Sequence, residues 1–106
     1  MNNIEQKTYY ANLFSYYKDL FTEKQQYLFD CYYNQDYSLA EIAEESGISR
    51  NAVWDSLKKV TKALDEYEKC LNLFNKDQKL KHNLDELKKH CDEDGLILIK
   101  ELEEME

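Results

Sequence analysis

Proline is absent from this chain of 106 residues, and glycine occurs only at Gly47 and Gly95. These two residue types are the strongest local signals for turns and for the ends of helices. In addition, no segment shows the strict alternation of apolar and polar residues that is typical of a strand. The sequence therefore predicts an all-α protein.

Length and charge indicate how the chain is organised. A chain of 106 residues has the length of one domain with one core, so residues 1–106 are predicted to be a single domain. Residues 1–37 carry three lysines and five acidic residues, residues 38–64 carry four basic residues (three lysines and Arg50) and four acidic residues, and residues 65–106 carry seven lysines and thirteen acidic residues. We expect a helical bundle over residues 8–64, followed by acidic C-terminal helices over residues 65–106.

Two helices are predicted before residue 38. An apolar stripe at helical spacing predicts the first over about residues 8–20. Thr22 and Gln25 have the spacing of a capping box, in which each side chain bonds to the backbone of the other, so a second helix is expected to begin there. The residues expected to face inward on this second helix are Tyr27, Leu28, Cys31 and Tyr32.

The strongest local signals define a helix-turn-helix over residues 38–57. Ser38 and Glu41 form a second predicted capping box. Gly47 lies nine residues after Ser38 and is able to adopt the left-handed conformation that ends a helix. Ser49 has the residue type that caps a new helix. Helix, glycine turn and second helix are therefore predicted in sequence.

The second helix of this motif is predicted to be long. Its apolar residues repeat every 3.5 residues, the period that keeps one seam facing a partner helix; they are Val53, Leu57, Val60, Leu64, Tyr67, Leu71 and Phe74. A similar pattern follows after a break near residues 75–77, at Leu80, Leu84, Leu87 and Cys91. The simplest prediction is that the recognition helix continues into an antiparallel C-terminal hairpin, over which an apolar helix after Gly95 closes.

With the motif located, a family resemblance can be stated. The stretch "YYNQDYSLAEIAEESGISRNAVWDSLKK", together with the preceding "LFTEKQQYLFD", resembles the YlxM-like proteins, small bacterial helix-turn-helix proteins, across about residues 8–70. The motif "EIAEESGISRNAV" is also similar to region 4 of sigma factors, the last region, which binds promoters. Two positions depart from the family pattern. Ser46 stands where a large apolar residue is usual, and Trp54 stands where tyrosine is typical.

The resemblance implies a cytoplasmic, all-helical protein whose gene commonly lies beside that of the signal recognition particle GTPase. A regulatory or accessory role in the signal recognition particle pathway is inferred for such proteins. The positions that match the family motif are Ser49, Arg50, Asn51, Ala52, Val53 and Asp55. The resemblance points to the RNA and the GTPase of the signal recognition particle as partners. From the motif and its charges we expect binding to DNA or to that RNA to be weak and salt-dependent.

The start of the recognition helix is the candidate nucleic-acid site. Arg50 is the only arginine of the chain, and its guanidinium can pair with a guanine edge or a phosphate, while Asn51 can pair with adenine. Residues 49–64 carry a local charge of +3, although the whole chain carries −8 and Asp55 would repel phosphate. The predicted site residues are Ser49, Arg50, Asn51, Trp54, Asp55, Lys58, Lys59 and Lys62. The alternative for the lysines is a solvated helix face.

A protein-binding adaptor is the alternative function. Eight of the nine tyrosines lie in the first 37 residues, more aromatic surface than two helical stripes can hide. Tyrosine is favoured at protein interfaces because its ring is buried while its hydroxyl stays solvated. The candidate partner-interface residues are Tyr9, Tyr16, Phe29 and Tyr33. In this interpretation they contact the signal recognition particle GTPase or a second copy of the chain, and the helix-turn-helix is only a scaffold.

Other classes of function lack sequence support. No arrangement of nucleophile, base and acid has a catalytic spacing, and there is no phosphate-binding loop, so neither enzymatic activity nor a cofactor is expected. The three cysteines are far apart and are expected to be reduced, and His82, His90 and Cys91 are poorly placed to chelate a metal. No apolar stretch approaches the ~20 residues of a membrane span, and there is no secretion signal. A cytoplasmic protein is expected, with no membrane partner.

Overall fold

A computed structural model describes residues 3–105, which form six α-helices and no strand. The prediction of an all-α fold is therefore confirmed for this part of the chain. The helices are α1 (Asn3–Tyr17), α2 (Glu23–Phe29), α3 (Leu39–Ser46), α4 (Arg50–Leu71), α5 (Leu73–Lys88) and α6 (Glu93–Glu104). A 3₁₀ turn, Lys18–Leu20, follows α1, and a π-helical segment, Asp30–Asn34, follows α2. The fold divides into two compact units, one ending at Asn72 and the other beginning at Leu73.

The helix starts of the first unit are confirmed. Thr22 and Gln25 form a reciprocal capping box at the start of α2, and Ser38 and Glu41 form another at the start of α3. Gly47 ends α3 in the left-handed conformation, with φ of 72°. The helix-turn-helix over residues 38–57 is therefore present as predicted.

The core of the first unit lies along α4. Its buried residues Val53, Leu57, Val60 and Leu64 occupy the predicted seam, and α4 contacts α1, α2 and α3. Tyr17 of α1 adds a hydrogen bond of 2.6 Å from its hydroxyl to Oε1 of Glu68. The helices that precede α4 in the sequence thus cover its seam.

The break predicted near residues 75–77 is wrong, because it lies at residue 72, between α4 and α5. The helix ends at Asn72, whose φ of 57° is left-handed, a conformation that asparagine tolerates better than most residues. The hairpin that the structure forms is between α5 and α6. A heptad pattern specifies that a face is buried but does not identify the helix that covers it.

Two aromatic residues of α2 differ from their predicted positions. Phe29, predicted to be a surplus surface ring for a partner, is fully buried, because it stacks between Phe14 at 4.1 Å and Tyr33 at 4.3 Å between ring centroids. Tyr27, predicted to face inward, is 44% exposed. The buried face of α2 is centred on Leu28 and Phe29. Tyr27 therefore lies at the edge of that face and not within it.

The second unit consists of α5 and α6. Asp92 caps α6 by accepting a hydrogen bond of 2.8 Å from the Gly95 N–H. A Cβ added at Gly95 would lie 2.9 Å from the Cβ of Cys91, so the absence of a side chain allows this close approach. An ion pair of 2.9 Å joins Lys88 to Glu103 across the two helices.

The described residues also bear on membrane and metal binding. Between residues 3 and 105, no helix combines the length and apolar character that crossing a bilayer requires. Over the same residues, no cluster of three or more histidine, cysteine or carboxylate side chains has a geometry suited to a metal ion. Cys31, Cys70 and Cys91 are free thiols.

Candidate nucleic-acid interface

The predicted site residues all lie on one side of α4. Ser49 is its N-cap and accepts a hydrogen bond of 3.0 Å from the Ala52 N–H, which fixes the first turn. At 100° per residue, the other seven fall within one half of the helix circumference, from Arg50 and Trp54 at the edge of the buried seam to Lys62 on its opposite side, and all are exposed. They are Arg50, Asn51, Trp54, Asp55, Lys58, Lys59 and Lys62. The structure therefore brings the predicted set together on one accessible helix face.

Four cations of this arc, Arg50, Lys58, Lys59 and Lys62, make up what we call the basic face. Lys58 is partly neutralised, because its Nζ lies 3.5 Å from Oδ1 of Asp55. The same ammonium lies 6.0 Å from the centroid of the Trp54 ring, a distance at the outer limit of a cation–π interaction. Within the described part of the chain, no ion pair involves Arg50, Lys59 or Lys62, so these three present their full charge to solvent.

The aromatic side chains beside the basic face form a second feature, the aromatic ridge of Tyr32 and Trp54. The two rings meet edge to face, with centroids 6.4 Å apart and planes at 65°. Trp54 is 41% exposed, and Tyr32 comes from the π-helical segment. One shallow cleft of about 380 Å³ lies beside the ridge and is lined by Arg50, Asn51 and Leu39 as well as by both rings. A planar aromatic ligand placed there would contact rings and a guanidinium together.

A lysine of α1 holds the ridge from its other side. The Nζ of Lys7 lies 4.2 Å from the Tyr32 ring centroid, donates a hydrogen bond of 3.4 Å to the Tyr32 carbonyl, and forms an ion pair of 3.2 Å with Asp36. These groups line a second cleft of about 430 Å³ that also includes Trp54. The contacts join α1 to the end of the π-helical segment and restrict the Tyr32 ring.

The sequence did not reveal Tyr32, Lys7 or Asp36 as parts of the site. The π-helical segment is closed by an i→i−5 bond of 3.0 Å from the Gln35 N–H to the Asp30 carbonyl, and no residue pattern in "DCYYN" marks this wider turn. Lys7 and Asp36 are 29 residues apart, and their pairing follows only from the packing of α1. Exceptional tyrosine content before residue 38 was the one available signal.

The remaining candidate interface residues are partly accessible. Tyr9, Tyr16 and Tyr33 are half-buried, and whether they contact a partner stays a prediction. Burial, followed by the nearby Tyr32, raises the pKa of Tyr33 to about 12. The phenol of Tyr33 is therefore neutral at physiological pH, and it lines the second cleft as an uncharged group.

Comparison with known proteins identifies the family. The sequence profile of the UPF0122 family, described as "Putative helix-turn-helix protein, YlxM / p13 like", matches residues 4–105. A UPF0122 protein of Geobacillus sp. (strain WCH70) is 43% identical over 100 residues, covering 89% of this chain and 91% of that protein. The UPF0122 protein YofM of Lactococcus lactis subsp. lactis (strain IL1403) is 42% identical over 97 residues, covering 92% and 87%. A UPF0122 protein of Anoxybacillus flavithermus (strain DSM 21510 / WK1) is 40% identical over 109 aligned residues, covering 97% and 99%. This chain therefore belongs to the UPF0122 family of YlxM/p13-like helix-turn-helix proteins.

Proposed function

We propose that this protein binds nucleic acid through the first four turns of α4. The observation that carries the proposal is the basic face: Arg50, Lys59 and Lys62 are exposed and carry no ion pair with any described residue, with Arg50 at the edge of the buried seam and the two lysines on the far side of α4. Because the seam residues are buried in the core, the orientation of α4 is fixed and these cations face solvent. The helix-turn-helix supplies the geometry in which the second helix enters the major groove by its N-terminal end.

On duplex DNA each residue of the site has a defined task. Arg50 reaches a guanine edge or a phosphate, Asn51 pairs with adenine, and the three lysines contact phosphates. Asp55 limits affinity, because it lies within the same arc and is already paired with Lys58. With three or four phosphate contacts, the logarithm of the binding constant should fall with the logarithm of salt concentration with a slope of roughly −3 to −4.

The aromatic ridge extends the same site to RNA. Unpaired bases stack on exposed rings, and each such stack contributes about 1–3 kcal/mol. Trp54 presents its ring beside Arg50, and the cleft between them has the planar, cationic lining that a splayed-out base requires. In line with the family resemblance, signal recognition particle RNA is the RNA we propose, with a regulatory or accessory role in that cytoplasmic pathway.

A titration with matched variants tests this proposal. The wild type, Arg50→Ala and Lys79→Ala are titrated at two salt concentrations against duplex DNA and against signal recognition particle RNA. Lys79→Ala removes one positive charge from α5, outside the basic face. Arg50→Ala should weaken binding about 5- to 150-fold, since a bidentate contact contributes about 1–3 kcal/mol. Equal effects of the two variants would contradict the proposal, and the preferred ligand decides between DNA and RNA.

A second candidate function is an adaptor for the signal recognition particle GTPase. It is favoured by Trp54, a large ring that is 41% exposed, and by a chain charge of −8, which suits a protein partner better than a polyanion. In this case Trp54→Ala should weaken binding of the purified GTPase at both salt concentrations, whereas Arg50→Ala should leave it unchanged. The wild type should then show no salt-sensitive affinity for either nucleic acid.

A further inference from the structure

The second unit exposes an unusual amount of apolar surface. Among its described residues only Leu84 and Ile99 are buried large apolar side chains. Eight others are 40–81% exposed: Leu73, Leu80, Leu87, Leu96, Ile97, Leu98, Leu102 and Met105. Monomeric proteins rarely leave an apolar patch larger than a few hundred Å² open to water.

The size of the unit indicates that it requires something to pack against. From Leu73 to the end of the chain there are 34 residues. Units shorter than about 40 residues usually need a disulfide, a metal or an oligomeric partner for stability. Cys91 is a free thiol, and the described residues offer no metal cluster. Association with another surface is a further source of stability.

The charges of the two helices select the kind of partner. Residues 73–88, which form α5, carry four lysines and three acidic residues, a net charge of +1, whereas residues 93–104, which form α6, carry one lysine and five acidic residues, a net charge of −4. The net charge of residues 73–106 is −4, which disfavours nucleic acid and anionic lipid. A partner with one basic and one acidic helix, each with exposed apolar residues, would complement the charges of both α5 and α6.

We propose that a second copy of this chain is that partner, and that α5 and α6 form a dimerisation element. In a two-fold interface the same patch is used on both subunits, so α5 of each copy can contact α6 of the other, and opposite charges meet at both contacts. The eight side chains, at 40–81% exposure, supply apolar surface for such an interface, in which each partner of a standard complex buries ~800 Å². This inference goes beyond nucleic-acid binding and does not depend on it.

The test is the molar mass of the full chain in the absence of nucleic acid. Sedimentation equilibrium over a range of protein concentrations should give a mass approaching twice the 12.8 kDa of one chain. Leu98→Gln removes an apolar side chain of a residue that is 61% exposed, and Leu20→Gln, at 57% exposure in the first unit, is its matched control. Leu98→Gln should weaken self-association about 10- to 100-fold, because the interface contains the substituted residue twice. Leu20→Gln should leave self-association unchanged.

Each other outcome overturns the proposal. A wild-type mass of 12.8 kDa at every concentration rules out the dimer, whatever the variants do. Equal self-association of the wild type and Leu98→Gln rules out α6 as the interface. Circular dichroism checks that Leu98→Gln keeps its helical content, and if that content falls, Ile97→Gln at 59% exposure replaces it in the same comparison.

Discussion

At the scale of single residues, one dihedral angle determines where α3 ends and the turn of the helix-turn-helix begins. Gly47 has φ of 72°, and a Cβ built there would meet nothing within 4 Å. The penalty for a side chain is therefore backbone strain without steric clash. Gly47→Ala should lower the free energy of unfolding by about 1 kcal/mol, and Gly47→Asn should lower it less, because asparagine tolerates the left-handed region. Urea denaturation measures both, and an equal loss in the two variants would contradict this explanation.

Ionisation of the Tyr10 hydroxyl should make the free energy of unfolding depend on pH. Its hydroxyl donates a hydrogen bond of 3.0 Å to Oδ2 of Asp65, and burial, then this bond, raise its pKa to about 12 from 10.0. Because the folded pKa lies above the unfolded value, this stabilisation is complete below pH 10 and disappears as the pH rises towards 12. Tyr10→Phe should therefore be less stable than the wild type at neutral pH, and the difference should shrink above pH 10. Urea midpoints at a series of pH values measure this, and a constant difference between the two proteins would count against it.

At the scale of helices, local signals were predictable and packing partners were not. Ser38 and Ser49 mark helix starts because a cap depends on residues no more than three positions away. The seam of α4 was found for a similar reason, since periodicity is a property of one helix. Which helices cover that seam depends on the shapes of distant elements. The aromatic ridge lies in the same category, because Tyr32 reaches Trp54 only through the π-helical segment and the contacts of Lys7.

The orientation of α2 about its own axis buries Phe29 and exposes Tyr27. Two substitutions can test this orientation through their effects on the free energy of unfolding. Phe29 is fully buried between two rings, so Phe29→Ala should lower the free energy of unfolding by about 3–5 kcal/mol through lost burial and the resulting cavity. Tyr27→Ala, on the same helix, should have an effect of about 1 kcal/mol or less, because the ring is 44% exposed. Thermal or urea denaturation compares them. Similar losses would mean that α2 is rotated differently from the structure described above.

At the scale of the whole molecule, a protein with net negative charge is proposed to bind a polyanion, which it should repel. The uneven distribution of its charges explains how binding is still possible. At physiological salt, charges more than about 8 Å from a bound phosphate are largely screened. The local charge of residues 49–64 is +3, and it lies on the accessible side of α4. Acidic residues that lie farther than this from a bound phosphate therefore weaken its binding little, while the basic face acts at contact distance.

Dimerisation would change the salt dependence of nucleic-acid binding in a measurable way. A monomer with three or four phosphate contacts has a salt slope of roughly −3 to −4, and a dimer that places two basic faces on one nucleic acid should have roughly twice this slope. Leu98→Gln alters no charge and lies outside the basic face, so any change in slope reports the number of faces bound. At a protein concentration where the wild type is dimeric and Leu98→Gln is monomeric, the slope for the variant should be about half that of the wild type. Fluorescence anisotropy at four or more salt concentrations gives both slopes, with Leu20→Gln as the control. Equal slopes for a dimeric wild type and a monomeric variant would show that only one basic face of the dimer reaches the nucleic acid.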